Sequence, residues 1–194
     1  SLDDIQKVKM TTRNSIRFSA LILCPLMLGL AAVSDSFIRL LLTEKWLPCV
    51  PLLQLFCIIY LFQPIHTANM QAIKAMGRSD IYLRLEIVKK IVELAVLLVT
   101  MWISVDAMVI GMALCATLFV FVNAYPNIKL LGYSIREQLA DILPPVAMSL
   151  LMGAVVVAVG HFAFPLTLKL IVQVLTGAIL YFALLFLTRN RDMK

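Results

Sequence analysis

LTLKLIVQVLTGAILYFALLFLT (Leu166–Thr188) runs without a break in its apolar character, and Lys169 is its one charge. A helix of about 20 residues covers the ~30 Å of hydrocarbon in a bilayer. A membrane β-barrel strand would instead alternate polar and apolar residues over ~10 positions. The run is continuous, so it predicts a membrane-crossing helix. Five similar segments precede it, at about 16–33, 51–75, 83–104, 107–123 and 142–163. The predicted fold class is therefore all-α integral membrane, a bundle of about six transmembrane helices in one unit. Composition agrees. Hydrophobic residues make up 62% of the 194 and charged residues 14%; a soluble domain is nearer half and a quarter. A core of this size cannot hide so much apolar side chain from water. That excludes a soluble enzyme, a nucleic-acid-binding module and a disordered tail. Lipid is the expected partner, and nucleic acid is not.

The connections are uneven. Ser104, Val105 and Asp106 make a tight link, so the third and fourth segments form an antiparallel hairpin. Residues 161–165 join the fifth and sixth in the same way. Between the first two segments, Phe37 to Leu42 followed by Glu44, Lys45 and Trp46 reads as a short helix lying at the interface. The chain opens on polar residues with no signal peptide, and reads as a piece of a longer membrane protein. Its four cysteines (Cys24, Cys49, Cys57, Cys115) show no metal-ligand spacing and read as small core hydrophobes.

Net charge is +6. With six crossings, all but three of the 17 Lys and Arg fall on one side. They are Lys7, Lys9, Arg13 and Arg17 before the first segment, then Lys74, Arg78, Arg84, Lys89 and Lys90, then Lys129 and Arg136, and finally Arg189, Arg191 and Lys194. Arg39, Lys45 and Lys169 face the other way. This asymmetry predicts a multi-pass membrane protein with both ends in the cytoplasm.

Polar residues at membrane depth are the informative ones. A third segment starting after Lys90 would be too short to span, at roughly 22 Å. Its span must reach back to about Arg84, which draws Glu86, Lys89, Lys90 and Glu93 below the interface. Glu86, Lys90 and Glu93 share a face, and Lys89 also reaches Glu93 at i+4. Arg84 and Lys89 can snorkel to headgroups while glutamates neutralise them. Glu93, about 18 Å from the outer end of the span, points to an internal cavity or a buried ion pair. The second segment carries Gln54, Gln63, His66, Thr67, Asn69 and Gln71, with Lys74 at its inner end. Gln63, Thr67, Gln71 and Lys74 form a helical stripe, read either as interhelical hydrogen bonding or as the wall of a hydrated cavity. Pro64 should kink this helix and Pro25 bend the first. His66 is a packing residue or a proton carrier. Asn123, Tyr125 and Pro126 end the fourth segment, and Pro144-Pro145 open the fifth. The last two segments read as peripheral helices facing lipid. No Walker loop, HExxH, GxSxG or acidic metal cluster occurs, so neither catalytic nor metal residues are assigned and no cofactor is expected.

The stretches PLMLGLAAVSDSFIRLLLTEKWLPCVPLLQLFCIIY (25–60), QPIHTANMQAIKAMGRSDIYLRLEIVKK (63–90) and LLGYSIREQLADILPP (130–145) resemble bacterial polysaccharide exporters. These belong to the multidrug/oligosaccharidyl-lipid/polysaccharide exporter superfamily. The resemblance covers residues 2–145 and fades in the final hairpin. It implies most of the C-terminal lobe of a two-lobed flippase fold, with an N-terminal lobe as partner and no enzyme. It also implies alternating access for an undecaprenyl-pyrophosphate-linked oligosaccharide used in lipopolysaccharide, capsule or exopolysaccharide synthesis. On that reading Lys74, Arg84, Lys89 and Lys90 attract the pyrophosphate, Gln63, Asn69 and Gln71 bind sugar hydroxyls, and Glu93 couples an ion or balances Lys90. The rivals are a multidrug or cation antiporter, a lipid II flippase, and a membrane-embedded enzyme of the polysaccharide pathway.

Overall fold

A computed structural model describes residues 2–189. Arg191 and Lys194 of the charge count lie outside the described residues, as does the side chain of Arg189. The described chain is helical, without strands: α1 (Leu2–Leu41), a 3-10 helix (Glu44–Cys49), α2 (Val50–Tyr60), α3 (Gln63–Ala75), α4 (Ser79–Thr100), α5 (Val105–Leu131), α6 (Ile135–Val159) and α7 (Leu166–Arg189). An all-α membrane architecture is what these runs of apolar residues fold into.

Helix ends differ from the sequence reading wherever a polar cap or a long-range pair decides them. Helix α1 begins well before residue 16 and continues through Pro25. Phe37 to Leu41 are its last turns, not a separate interfacial helix. Thr43, at φ 76°, stops it, and Arg39 reaches both Asp35 (2.9 Å) and Glu44 (3.0 Å) across the stop. The second segment is two helices broken at Leu61 and Phe62, with Pro64 in the first turn of α3, where its missing N–H costs nothing. Helix α5 does not end at Asn123–Pro126. It runs to Leu131 and closes on Gly132 in the left-handed conformation, φ 59°. Helix α6 starts at Ile135 because Ser134 and Glu137 cap each other: the Ser134 N–H donates to Glu137 Oε2 (2.8 Å) and the Glu137 N–H to Ser134 Oγ (3.2 Å). Pro144-Pro145 therefore lie inside α6 and do not open it.

Among the described residues four helices are long and apolar enough to cross a membrane, or five if the broken pair ending in α3 counts as one. Six were expected. Helix α4 (22 residues) is long enough to span but is not in that count, because Arg84, Glu86, Lys89, Lys90 and Glu93 leave it no sufficiently apolar window.

The chain divides into two compact units. The first holds α1 up to Ala20 and residues 62–142: α3, α4, α5 and the start of α6. Here α4 packs along α5, and α3 packs against both. Gly111 makes the α4–α5 approach close, since a Cβ there would stand 2.8 Å from Val96 Cγ1. The second holds residues 21–61 and everything from 143 on. Its core is Val33, Met148, Met152, Val156 and Tyr181, flanked by Leu21, Phe37, Leu170 and Leu184. Tyr181 donates its hydroxyl to the Leu21 carbonyl (2.7 Å) and Gln173 its amide to the Val156 carbonyl (3.2 Å). Outward, α7 presents Ile179, Phe182 and Phe186, an apolar face suited to acyl chains.

Candidate functional site

The first unit contains a groove of about 420 Å³ between the first turns of α1 and helix α3, its surface mostly apolar with polar groups set along it. Helix α1 contributes Lys7, Thr11, Ser15 and Ser19, one residue per turn, with Val8 and buried Thr12 beside them. Helix α3 contributes Pro64, Thr67, Gln71 and the small residues Ala68, Ala72 and Ala75. The alanines keep the groove open, because larger side chains would fill it. The stripe recognised on the second segment is thus half of this wall: Thr67 and Gln71 line it. Gln63, one turn earlier, is exposed and donates to Thr67 Oγ1 (3.4 Å). Lys74, at the far end, lays its ammonium 4.0 Å from the centre of the Tyr82 ring, a cation–π contact that leaves it exposed. The hydroxyl wall on α1 was missed by the sequence reading. Its signal is the repeat Lys7, Thr11, Ser15, Ser19, which fell ahead of or at the edge of the first apolar run.

Asn69 is not on this wall. It is fully buried, donates to Gln138 Oε1 (2.7 Å), and accepts from Asn127 Nδ2 at both its side-chain and backbone oxygens (2.8 Å each). Gln138 in turn donates to the Tyr133 carbonyl (3.1 Å). This chain of amides ties α3 to α5 and α6, and Asn69, fully buried within it, is out of reach of a sugar in the groove. His66 receives a hydrogen bond from the buried Asn123 amide, the packing role among the two open to it.

The charged face of α4 resolves into two pairs. Lys89 is buried and pairs with Glu86, not with Glu93. Lys90 is exposed and pairs with Glu93 at 2.7 Å. Lys89 is therefore occupied inside the protein. Arg84 stands at the surface, and Lys90 is exposed but held by Glu93. In the turn before α4, Arg78 pairs with Asp80 (3.2 Å) and holds its carboxyl below the usual carboxylate range.

A second polar cluster, also absent from the sequence reading, lies on the opposite side of α1. Asp141 of α6 accepts from Arg13 (2.8 and 3.0 Å), from Arg17 (2.8 and 2.6 Å) and from the Tyr133 hydroxyl (2.7 Å). Lys9 donates to the Gly132 carbonyl (2.7 Å) and lies 3.5 Å from Glu137. Lys9, Arg13 and Arg17 are each more than 120 residues from their partners, which is why no local pattern announced them. Among the described residues no cluster of three metal-ligating side chains occurs.

Long apolar helices that turn a few polar groups into a groove and pair their charges define an integral membrane protein. Its fold is that of a lipid flippase: the whole chain superposes on 41% of the lipid II flippase MurJ in its inward closed conformation, with TM-score 0.79 and 14% identity. In sequence the chain is similar to proteins of bacterial polysaccharide biosynthesis. A family described as "Polysaccharide biosynthesis protein" matches residues 2–51. The teichuronic acid biosynthesis protein TuaB of Bacillus subtilis is 28% identical over 89% of this chain and 37% of its own length. The lipopolysaccharide biosynthesis protein WzxC of Escherichia coli is 26% identical over 81% of this chain and 32% of its own. The chain thus spans about a third of the length of these relatives.

Proposed function

We propose that this chain is part of a flippase that carries a lipid-linked oligosaccharide across the bacterial cytoplasmic membrane by alternating access, and is not an enzyme. The groove between α1 and α3 is the observation that carries the reading. Its volume is in the range of small-molecule sites, ~300–1,000 Å³; its surface is mostly apolar, and the polar groups set along it are hydroxyls, one amide and one ammonium. That lining suits sugar hydroxyls, which both donate and accept hydrogen bonds. It does not suit a cationic drug, which would call for carboxylates or aromatic faces. Thr67, Gln71, Thr11, Ser15 and Ser19 are the proposed sugar contacts, with Gln63 at the rim. The surface cations Lys7, Lys74, Arg84 and Lys90 would draw the pyrophosphate to the groove. Glu93 is proposed to balance Lys90 and to release it when an ion or substrate competes. The remaining lobe of the transporter is the proposed partner, and the skew of Lys and Arg supports placing both ends of this chain on the cytoplasmic side.

The MurJ-like fold keeps lipid II as the second reading. Export of surface polysaccharide by cells carrying the triple variant Ser15→Ala, Thr67→Ala, Gln71→Ala separates the possibilities. Loss of export at normal protein levels supports the proposal. Wild-type export removes the groove from the path of the exported oligosaccharide. If the unaltered protein rescues a lipid II flippase deficiency and the triple variant does not, while export is unaffected, the groove passes to the second reading.

A further inference from the structure

Helix α1 carries two polar stripes, each repeating every fourth residue: Lys9, Arg13, Arg17, and Lys7, Thr11, Ser15, Ser19. They are offset by two residues, or about 200° of helix rotation, so they stand back to back. The second stripe faces the groove. The first is clamped, through both arginines, to one carboxylate. We infer that Asp141 is a positioning residue for the groove: by holding Arg13 and Arg17 it sets the rotation and distance of the α1 hydroxyls from Thr67 and Gln71.

The asymmetry of the clamp carries this inference. The Asp141 side chain is 1% exposed, whereas those of Arg13 and Arg17 are 41% and 51% exposed. The carboxylate is fixed in the protein, and the guanidiniums reach it from the rim. Five hydrogen bonds converge on its two oxygens, four from guanidiniums. Charge-assisted bonds are the strong kind, and the two-point grip of Arg13 fixes direction as well as distance. Two positive charges one turn apart share a single negative one. Neutralising Asp141 therefore does more than delete bonds: it leaves two like charges side by side, each with water within reach, and both are driven to turn outward. The backbone of α1 carries the hydroxyl stripe with it. Lys9 alone would then tie this stripe to the Gly132 carbonyl and Glu137.

The consequence for transport rests on the groove being the substrate path; the geometry does not. The test uses the full-length protein with Cys24, Cys49 and Cys57 replaced, buried Cys115 of the same unit retained, and a reporter at Ser15→Cys or Gln71→Cys. The readout is the rate of labelling by a membrane-impermeant maleimide in inside-out vesicles. Asp141→Asn should raise labelling at both reporters by about tenfold, given the strength of hydrogen bonds to charged groups, and Asp141→Glu should restore the wild-type rate. Arg17→Gln, which keeps the Arg13 grip and the Tyr133 bond, should give a smaller rise of about threefold. Cys115 should stay unreactive throughout. Unchanged labelling in both Asp141→Asn and Arg17→Gln overturns the inference, as does a parallel rise at Cys115, which would report general loosening. Raised groove labelling with undiminished polysaccharide export would leave Asp141 as the positioning residue and remove the groove from the substrate path.

Discussion

Replacing Asn69 by alanine separates a buried tie from a sugar contact. Asn69 is 0% exposed and its side chain makes two hydrogen bonds, to Gln138 Oε1 and from Asn127 Nδ2. After Asn69→Ala, Asn127 keeps its bond to the residue-69 backbone carbonyl (2.8 Å), but Gln138 Oε1 loses its partner in the chain of amides. Interhelical hydrogen bonds in membrane proteins contribute about 0.6 kcal/mol each on average, which puts the floor for two of them near ~1 kcal/mol. Leaving one buried acceptor unsatisfied costs about 1–3 kcal/mol; with the second lost bond the ceiling is ~4 kcal/mol. The expected destabilisation is thus about 1–4 kcal/mol, read from denaturant-driven unfolding of the purified full-length protein in mixed micelles. Gln71→Ala is the contrast. Gln71 is exposed on the groove wall, so stability should hold within about 0.5 kcal/mol while polysaccharide export falls. If Asn69→Ala unfolds like wild type and export nevertheless falls, the buried network is the wrong account, and Asn69 returns to the substrate path.

Two neighbouring lysines on α4 should behave differently. Lys89→Met removes an ammonium that is 4% exposed and strands Glu86, and should cost about 1–3 kcal/mol; Lys90→Met strands Glu93, itself 25% exposed, but the lysine is 70% exposed and the pair is open to screening, so the cost should stay at about 1 kcal/mol or less in the same unfolding assay. Gly111→Ala should destabilise by about 1–3 kcal/mol, because its Cβ meets Val96 at 2.8 Å and Thr100 at 3.2 Å between α4 and α5. At Gly77 there is open space but φ is +71°, so Gly77→Ala should cost about 1 kcal/mol from the backbone alone. A Gly111→Ala protein melting with wild type would show that α4 and α5 are less closely packed than described.

The membrane-helical class was legible because hydrocarbon leaves few options: long unbroken apolar runs such as Leu166–Thr188 must satisfy their backbone internally. The polar stripe of Thr67 and Gln71 was legible for the complementary reason, since polar residues repeating at helical spacing in such a run mark a face turned from lipid. The first five turns of α1 were not. Their composition is that of a solvated tail, and they become the wall of a groove only because Asp141, more than 120 residues on, gathers Arg13 and Arg17. Asn69 and Gln71 illustrate the same limit at closer range. Two positions apart on α3, they have the same chemistry in sequence, yet one is bonded on every side by α5 and α6 and the other faces open space. Spacing distinguishes faces of a helix; it does not say which neighbour, or what cavity, each face meets. The start of α6 is a different case, since Ser134 and Glu137 carry the capping spacing openly, but the apolar run beginning at Ile142 drew the boundary later.

The groove as a wet path for a lipid-linked sugar is tested most directly at Gln71→Cys in the full-length protein, by following its reaction with a charged, water-soluble maleimide in membranes. The account predicts ready labelling that slows when undecaprenyl-pyrophosphate-linked oligosaccharide is added and is unaffected by the lipid carrier without its sugar. A cysteine that reacts with lipid-soluble reagents alone, or one that the sugar-bearing lipid does not protect, would contradict it.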